Sequence, residues 1–587
     1  MKKIRKLLTL GIVLVFAAIV INACSDSFLE IAPQNALSES NLTSVEGIDA
    51  ALLSAYSMLD GWNGSGNPWG GAQSNYLWGD IMSDDAYKGS EPTDFPDWEV
   101  LEKLTWTTTH GELNNKFIAD YEGIARANAT IRLAKAGDLP ESERNRILGE
   151  ARFLRAHFHF DLYKMFQFIP YYFEDDIDFK KPNTDESGNY INPIDDIIQD
   201  FETASEELPP SQSEVGRVNS YTALSYLGKV LVYNGQWAAA KTALDQVVDN
   251  GPFSLQDCYH DVFSVPGENG DASGRESILS FQASVSDGTG GGENGNHLER
   301  LTFAHGGSPF GCCGVRQPSQ NLVNAYKVDA NGLPLFDTFN DADLTASDAV
   351  DPRLDWIVAR EGVPVLNYYN ENEDGENTLA YSTGWVRAPN YGGPYSNKKN
   401  MYHYNQGEVS TVGWVNTHLS SLNVHLLRYS ELLLLLAEAE ANLNNLPRAM
   451  ALVNMVRTRA GNCAQGPATS LDAMKVDPSD PATTWADYNV GTYTTFPNQG
   501  YALEAIQWER RLELAMEGHR FFDLRRWGIA QEVMNDYFAE EATKRAFLTG
   551  YTPYDPSVHT YYPLPAFQVD LSKVGGEPQL RQVPGWE

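Results

Sequence analysis

Aromatic and polar side chains gather in two glycine-rich stretches of this chain, and together they could recognise a sugar. A sugar presents apolar C–H faces, which tryptophan and tyrosine rings cover, and hydroxyl groups, which carboxylate, amide and guanidinium groups bond. The first stretch contributes Trp62, Asn63, Trp69, Tyr76, Trp78, Asp84, Asp85 and Trp98. The second contributes Cys313, Trp385, Arg387 and Tyr391. The alternative is structural: Trp78 and Trp98 would then belong to a core, and Asp84 would cap a turn.

Catalytic chemistry finds little support in the sequence. With 78 carboxylates in the chain, a pair of acidic residues is a weak indication of a glycosidase. His157 and His159 lie two residues apart on a predicted helix, so they point to different faces and are interpreted as packing or surface histidines. The glycine run Gly288–Gly295 lacks the lysine of a phosphate loop, and the chain has no Gly-x-Ser-x-Gly motif. We therefore expect a binding protein and not an enzyme.

Metal and cofactor sites are not predicted either. The chain has no Cys-x-x-Cys pair and no His-Glu-x-x-His motif. The adjacent Cys312 and Cys313 could form a disulfide in an oxidising compartment or remain two thiols, and the sequence leaves both open. Five carboxylates could offer oxygen ligands to calcium, but their spacing does not match a calcium loop: Asp84, Asp85, Glu91, Asp94 and Asp97.

Charge limits the partners. The 587-residue chain carries a formal net charge of −35, from 43 basic and 78 acidic residues. A field of this sign repels the phosphates of nucleic acid and anionic lipid, so we expect no nucleic acid partner. A neutral ligand fits best. Apolar residues make up 42% of the chain and charged residues 21%, which is the composition of a folded protein with a large core.

The N-terminus predicts export and a lipid anchor. Met1–Lys6 is basic, Leu7–Ala23 is apolar, and Cys24 follows directly. This order resembles a bacterial lipoprotein signal, with residues 1–23 removed and Cys24 lipidated; an uncleaved transmembrane anchor is the alternative, although the apolar run is short for a bilayer. Ser25-Asp26 looks like the export signal of Bacteroidetes surface lipoproteins. We predict a protein anchored to the outer membrane that faces the cell exterior.

Helical periodicity dominates the rest of the chain. Apolar residues at helical spacing predict helices over Asn114–Lys135, Glu143–Gln167 and Pro193–Leu208. Leu227–Val247 can be laid over Leu436–Val456 without a gap, with small residues matched to small residues, as in tetratricopeptide-like helical hairpins. The charged segment from Glu509 to Trp527 predicts one helix that carries ion pairs at i,i+4 spacing. Insertions rich in Gly, Asn and aromatics over about 61–97 and 263–424 are expected to carry the binding site.

These motifs resemble the SusD/RagB family of Bacteroidetes nutrient-binding lipoproteins along the whole chain. No single motif is decisive, but their number and order together are specific. The resemblance rests on Cys24–Glu30, Ser44–Tyr56, Ser83–Gly89, Tyr121–Asn128, Glu150–Ala156, Arg428–Ala439, Glu509–Trp527, Tyr562–Pro565 and Pro584–Trp586.

The resemblance implies a mostly α fold, in which tetratricopeptide-like hairpins pack against a loop-rich ligand-binding region within a single domain over 24–587. It also implies that the protein captures oligosaccharide or polysaccharide and delivers it to a SusC-like TonB-dependent outer-membrane transporter, with the pocket drawn from the two insertions. A RagB-like surface protein for peptide uptake or adhesion is the alternative function. The sequence does not identify the sugar.

Overall fold

The structure is a computed structural model, and it describes residues 42–62, 69–72, 74–264, 275–283, 299, 301–369, 378–404, 422–468 and 470–587. The predictions for Cys24, Asn63 and the glycine run 288–295 lie outside these residues. About 48% of the described residues are helical, with few strands, as expected for the fold class. No helix in the described ranges is long and apolar enough to cross a membrane.

Helices are the main regular secondary structure of the described chain. The α-helices are α1 Val45–Tyr56, α2 Pro96–Glu102, α3 Gly111–Ala136, α4 Glu141–Phe166, α5 Ile194–Glu207, α6 Ser220–Tyr233, α7 Trp237–Asn250, α8 Gln320–Ala325, α9 Arg353–Ile357, α10 Pro389–Gly392, α11 Tyr429–Asn442, α12 Leu446–Ala460, α13 Gln499–Leu514, α14 Arg520–Arg526, α15 Ala530–Lys544, α16 Pro556–His559 and α17 Ala566–Leu571. Short 3₁₀ turns cover Ser57–Asp60, Trp69–Gly71, Tyr259–Phe263, Thr383–Trp385 and Ala546–Leu548, and a π-helical turn covers Leu77–Ile81.

The strands pair in two-stranded ribbons: β1 with β3, β2 with β9, β5 with β8, β6 with β7, β10 with β11, and β4 with β12, of which only the last is parallel among the described residues. They are β1 Ala86–Gly89, β2 Ser277–Phe281, β3 Val315–Pro318, β4 Ala349–Val350, β5 Val358–Ala359, β6 Pro364–Tyr369, β7 Thr378–Ala380, β8 Ser396–Asn397, β9 Val424–Arg428, β10 Ala464–Gln465, β11 Lys475–Val476 and β12 Asp487–Tyr488.

The three helices predicted from periodicity are confirmed as α3, α4 and α5. Helices α3 and α4 pack side by side, and Gly123 allows their close approach because a Cβ there would lie 2.5 Å from the ring of Phe158. The two histidines of α4 are packing residues, as expected. His159 is fully buried and stacks on Tyr171 at 3.8 Å, whereas His157 is half-buried beside Tyr226.

The internal repeat corresponds to two helical hairpins, α6–α7 and α11–α12, each joined by a short turn. The small residues do what the pattern predicts. A Cβ at Gly228 would lie 2.3 Å from the side chain of Leu244, so the second helix can approach only because this position has none. Ala240 and Ala449, the matched pair of the two copies, are both fully buried. Helix α11 also packs against α7, so the two hairpins form one layer.

The prediction of one helix over Glu509–Trp527 is wrong. The segment forms the end of α13 and all of α14, separated by a turn in which Met516 (φ 62°) and Gly518 (φ 76°) adopt left-handed conformations. Its ion pairs mostly reach distant segments instead of neighbouring turns. Arg511, for example, donates to the distant Asp85 at 2.9 Å. The break lets one charged segment contact several other elements at once.

The apolar residues form two cores. The first joins α1 and α3–α7 to α11–α15. The second lies mainly in the larger insertion, around the fully buried Trp356, whose ring stacks on His260 at 4.5 Å. A disulfide between Cys258 and Cys463 fastens this second core to the chain on either side of the insertion. No pairing of these two cysteines is predicted from the sequence.

Candidate ligand-binding surface

Strands β1 and β3 bring the two predicted binding stretches together. Gly89 faces Val315 in this ribbon, and the Ser90 N–H donates a hydrogen bond to the Gly314 carbonyl at 2.5 Å. The loop that follows β1 therefore lies beside the loop that carries Cys312 and Cys313. In that loop the two cysteines are joined by a disulfide, which resolves the alternative left open by the sequence.

Lys88 holds the loop after β1 in shape. Its buried ammonium group donates to the backbone carbonyls of Glu91 (2.9 Å) and Asp94 (2.6 Å), and the ring of Tyr391 lies over it at 4.8 Å. Burial lowers the pKa of Lys88, although nearby carboxylates partly oppose this shift. Tyr391 is thus a support for the loop: it is buried, and its hydroxyl donates to Glu99 at 2.7 Å.

Two residues of this loop have left-handed backbone conformations, Ser90 (φ 56°) and Phe95 (φ 46°). Such conformations cost roughly 1–3 kcal/mol for residues with a side chain, and they persist where the surroundings enforce them. Here the enforcing contacts are those of Lys88 and a hydrogen bond from the Ser90 N–H to Gln317 Oε1 at 3.0 Å. The loop is therefore a rigid, pre-shaped element, which is what a binding surface requires.

Arg387 connects the second stretch to this loop. Its guanidinium group forms ion pairs with both Glu91 and Asp94 and lies 3.3 Å from Ser90 Oγ, which itself donates to Asp94 at 2.6 Å. The Arg387 side chain is 26% exposed and the two carboxylates are 33% and 31% exposed. Donors and acceptors of this cluster consequently face solvent in fixed positions.

His305 and the disulfide border the same cluster. His305 is half-buried; burial and the neighbouring Arg387 lower its pKa, so the imidazole is neutral, and its Nδ1 has no hydrogen-bond partner among the described residues. Cys312 is half-buried and Cys313 is buried. Trp385 lies mostly beneath this loop with 9% of its surface exposed. Sequence reasoning missed His305, whose only signal is its place next to the two glycines that precede the cysteine pair.

A chain of aromatic rings leads from the surface to the first core. Trp69 meets Phe95 edge to face at 6.2 Å, Phe95 stacks on Trp98 at 4.5 Å, and Trp98 contacts Tyr76 at 6.0 Å. Trp69 and Phe95 are half-buried, whereas Trp98 and Tyr76 are buried. Of the two predicted tryptophans that contact Phe95, Trp69 is thus the one that is partly exposed. Phe95 was not predicted, although its position directly after Asp94 was a usable signal.

Other predicted residues belong to the interior. Trp78 is fully buried and donates from Nε1 to the Gly70 carbonyl at 2.6 Å. Trp62 is half-buried and packs against the first core, and its backbone N–H donates to Asp60 at 2.6 Å. For Trp78, as for Trp98 and Tyr76, the structural interpretation is the one that the geometry supports, because a buried ring offers no face to a ligand.

Asp84 and Asp85 are buried in ion pairs instead of being exposed acceptors. Asp84 accepts from Arg511 (2.9 Å) and Arg520 (2.8 Å), and Asp85 accepts from Arg511 at 2.9 Å. Burial alone would raise the pKa of Asp84, but the two guanidinium groups lower it to about 2. Because these bonds use the carboxylates internally, the two residues position β1, which begins directly after them.

The five acidic residues considered for calcium are therefore dispersed over three environments: the buried pair just described, the Arg387 cluster, and exposed Asp97. Within the described ranges, no group of three or more His, Cys, Asp or Glu residues could hold a metal ion.

The sequence of this chain matches models of known protein families. Residues 275–586 match the family model described as the SusD family, and residues 27–232 match a model described as starch-binding associating with outer membrane. A SusD-like protein of Formosa agariphila is 24% identical over 543 residues, which cover 91% of this chain and 94% of that protein. A SusD-like protein of Bacteroides ovatus is 25% identical over 46% of this chain and 49% of that protein.

Solved structures show the same fold. A SusD superfamily protein from Bacteroides vulgatus aligns with a TM-score of 0.65 and 19% identity, covering 93% of this chain and all of that one. A laminarin-binding SusD-like protein aligns at 0.63 and 22% identity over 92% and 99% of the two chains. Surface glycan-binding protein A from Bacteroides thetaiotaomicron, in complex with laminarihexaose, aligns at 0.64 and 18% over 92% and 99%. From its sequence and its fold, the chain belongs to the SusD family.

Proposed function

We propose that this protein captures a neutral oligosaccharide on the surface formed by three segments: the loop 88–95, the loop 305–314 and the turn 383–387. This is called the loop surface below. The observation that carries the proposal is the half-exposed cluster of Arg387, Glu91 and Asp94, held between the aromatic side chains of Trp69 and Phe95 and the disulfide loop. The names of two structural neighbours, which bind laminarin or laminarihexaose, support a glycan as the ligand.

The chemistry of the loop surface suits hydroxyl groups. Arg387 supplies N–H donors, whereas Glu91 and Asp94 supply acceptors, and hydrogen bonds to charged groups are the stronger ones. The ring of Phe95 can cover an apolar C–H face. A ligand without charge fits because the chain carries −35 overall, so an acidic glycan would meet long-range repulsion.

Binding without hydrolysis is part of the proposal. A glycosidase needs a carboxylic acid with a raised pKa beside the sugar. Each of the four carboxyl groups whose pKa burial raises to about 7 or 8 already bonds or pairs with a group of this chain, and none lies on the loop surface: Asp60, Asp80, Glu102 and Asp120.

Delivery and location complete the proposal. We infer that the chain is anchored in the outer membrane through lipid on Cys24, faces the exterior, and passes its glycan to a SusC-like TonB-dependent transporter. The support is the lipoprotein-like N-terminus, membership of the SusD family, and the match to a family model described as associating with the outer membrane. Loss of membrane association in a Cys24→Ala variant, measured by cell fractionation, would be the expected result.

The test of glycan capture is calorimetric titration of the lipid-free chain, residues 25–587, with neutral oligosaccharides, acidic oligosaccharides and peptides. We expect one neutral glycan to bind, and Arg387→Ala to weaken it at least tenfold because Glu91 and Asp94 lose their bridge. The matched control is Arg448→Ala, which removes a half-exposed arginine paired with Asp245 on the helical hairpins. Binding that survives in Arg387→Ala contradicts the proposed surface, and binding of peptides alone supports the RagB-like alternative.

A further inference from the structure

A second, separate groove lies between α13 and α15, and neither the loop surface nor the sequence motifs account for it. Its volume of about 590 Å³ is in the usual range of ligand sites. Residues at helical spacing on both helices line it, from Gly500 to Arg511 on one side and from Ile529 to Glu540 on the other. At 1.5 Å per residue these faces run about 17 Å, the length of roughly five extended residues. We call this the α13–α15 groove.

The walls of the groove are apolar and only half-buried. They consist of side chains that pack at the edges of both cores: Phe336, Phe339, Leu503, Trp508, Ile529 and Val533. Trp508 is fixed between two neighbours, stacked on Phe336 at 5.8 Å and meeting Phe339 edge to face at 4.9 Å. Half-exposed apolar walls fixed in this way can cover apolar side chains of a ligand without rearranging.

The uncompensated charge of the groove is negative. Its two cations, Arg511 and Arg520, are neutralised by Asp84 and Asp85. Three carboxylates that line it, Glu504, Glu532 and Asp536, have no ion-pair partner in the described part of the chain.

Like-charge repulsion already acts on one of these carboxylates. The pKa of Glu504 is raised by partial burial and by the nearby negative charge of Asp337. The carboxylate therefore lacks a compensating cation, and a positively charged ligand would supply one.

We propose that the α13–α15 groove docks a short basic segment of a partner protein, with apolar side chains against Trp508 and its neighbours and Lys or Arg side chains against Glu504, Glu532 and Asp536. This interaction is distinct from glycan capture, since it uses none of the residues of the loop surface.

The test is selection of a random heptapeptide phage library on the lipid-free chain, followed by fluorescence anisotropy of the enriched peptides. We expect peptides that combine Lys or Arg with apolar residues. Replacing Glu504→Gln, Glu532→Gln and Asp536→Asn together should weaken them about tenfold, because three charge pairs are lost and each exposed pair contributes little. Asp536→Lys alone should weaken them as well, and added salt should do the same.

The matched control changes three exposed carboxylates outside the groove, Glu186→Gln, Asp195→Asn and Glu206→Gln, which alters the net charge equally. Affinity should be unchanged in this variant, and thermal melting should show that both triple variants are folded. Enrichment of acidic or neutral peptides, no enrichment at all, or equal loss in both triple variants would overturn the proposal. The triple groove variant should still bind glycan normally. A glycan titration of this variant therefore distinguishes failure of the groove proposal from failure of glycan capture.

Discussion

The boundary between the two cores and the interior of the second core bury charged groups in opposite ways. At the boundary, Glu513 accepts hydrogen bonds from Arg353 (2.9 Å) and Arg428 (2.5 Å) and also pairs with Arg459. Every side chain in this set is at most 3% exposed. Burial would raise the pKa of Glu513, but the three guanidinium groups hold it well below its usual range. Here each buried charge has opposite charges beside it.

Three buried bases inside the second core, Lys398, His260 and His403, have no ion-pair partner in the described part of the chain. Lys398 is fully buried and donates to the Pro364 carbonyl (3.2 Å) and to Gln465 Oε1 (2.6 Å), both neutral acceptors. Burial lowers its pKa to about 7. His403 and His260 share a hydrogen bond of 2.7 Å between their Nε2 atoms, and burial lowers the pKa of His403 to about 3. Burial thus favours the neutral, deprotonated form of these groups.

The difference indicates two means of ordering a large chain. An ion network has demanding geometry, so it fixes how distant segments meet: Arg353 comes from the insertion, whereas Arg428 and Glu513 belong to the helical part. The second core relies on neutral hydrogen bonds, short ribbons and the Cys258–Cys463 disulfide. Removing a charge at the boundary should therefore lower the free energy of unfolding. The buried bases of the second core should instead make this free energy depend on pH.

The largest effect should come from breaking the network. Glu513→Gln keeps the shape of the side chain but leaves three buried guanidinium groups without their shared carboxylate. We expect the free energy of unfolding to fall by about 3–5 kcal/mol, the usual cost of uncompensated buried charge. Urea denaturation followed by circular dichroism measures it. Asp245→Asn, which removes the partner of half-exposed Arg448, is the comparison and should cost no more than about 1 kcal/mol. Similar losses in both would contradict the role assigned to the network.

A smaller effect should come from the helical hairpins, where packing and not charge is tested. Gly228→Ala places a Cβ 2.3 Å from the side chain of Leu244, and overpacking of this kind costs about 1–3 kcal/mol. Gly111→Ala is the matched control, since a Cβ at this first residue of α3 meets nothing within 4 Å. The same denaturation measurement should show no loss for the control, and equal behaviour of the two variants would refute the close-packing argument.

The smallest effect is a pH dependence. The folded pKa of Lys398, about 7, is below its ordinary 10.5, so the unfolded chain binds more protons between these values. The cost of burying the charged Lys398 side chain is largest below pH 7 and disappears as the pH approaches 10.5. The free energy of unfolding therefore rises with pH, by at most about 1.4 kcal/mol per pH unit. Lys398→Met should lose this rise between pH 7 and 10.

Lys241 provides the contrasting control within the scaffold. Its hydrogen bonds and ion pairs with Asp245 and Glu440 raise its pKa above the ordinary value, so its contribution is lost only as the pH rises past 10.5. Lys241→Met should therefore differ from the unmodified protein by a constant amount between pH 7 and 10, because Arg448 still pairs with both carboxylates. A pH slope that changes in both variants, or in neither, would show that the two regions do not differ as described.

Local patterns were enough to predict the scaffold. Helices α3 to α5 follow from apolar residues at helical spacing, and the repeat of the α6–α7 and α11–α12 hairpins follows from matched small residues. Such patterns are readable because neighbours in the sequence are neighbours on the helix. The family followed from motif order, and the family model and solved folds bear it out.

By itself, then, the sequence determined the helical scaffold, the family and the two stretches that meet on the loop surface. Only the tertiary structure decided which members of those stretches are accessible. Trp78 and Asp84 are interior, whereas Phe95 and His305, which were not predicted from the sequence, are partly exposed. Exposure depends on what arrives from distant parts of the chain, such as Arg511 at Asp84, and long-range contacts of this kind leave no periodic trace in the sequence.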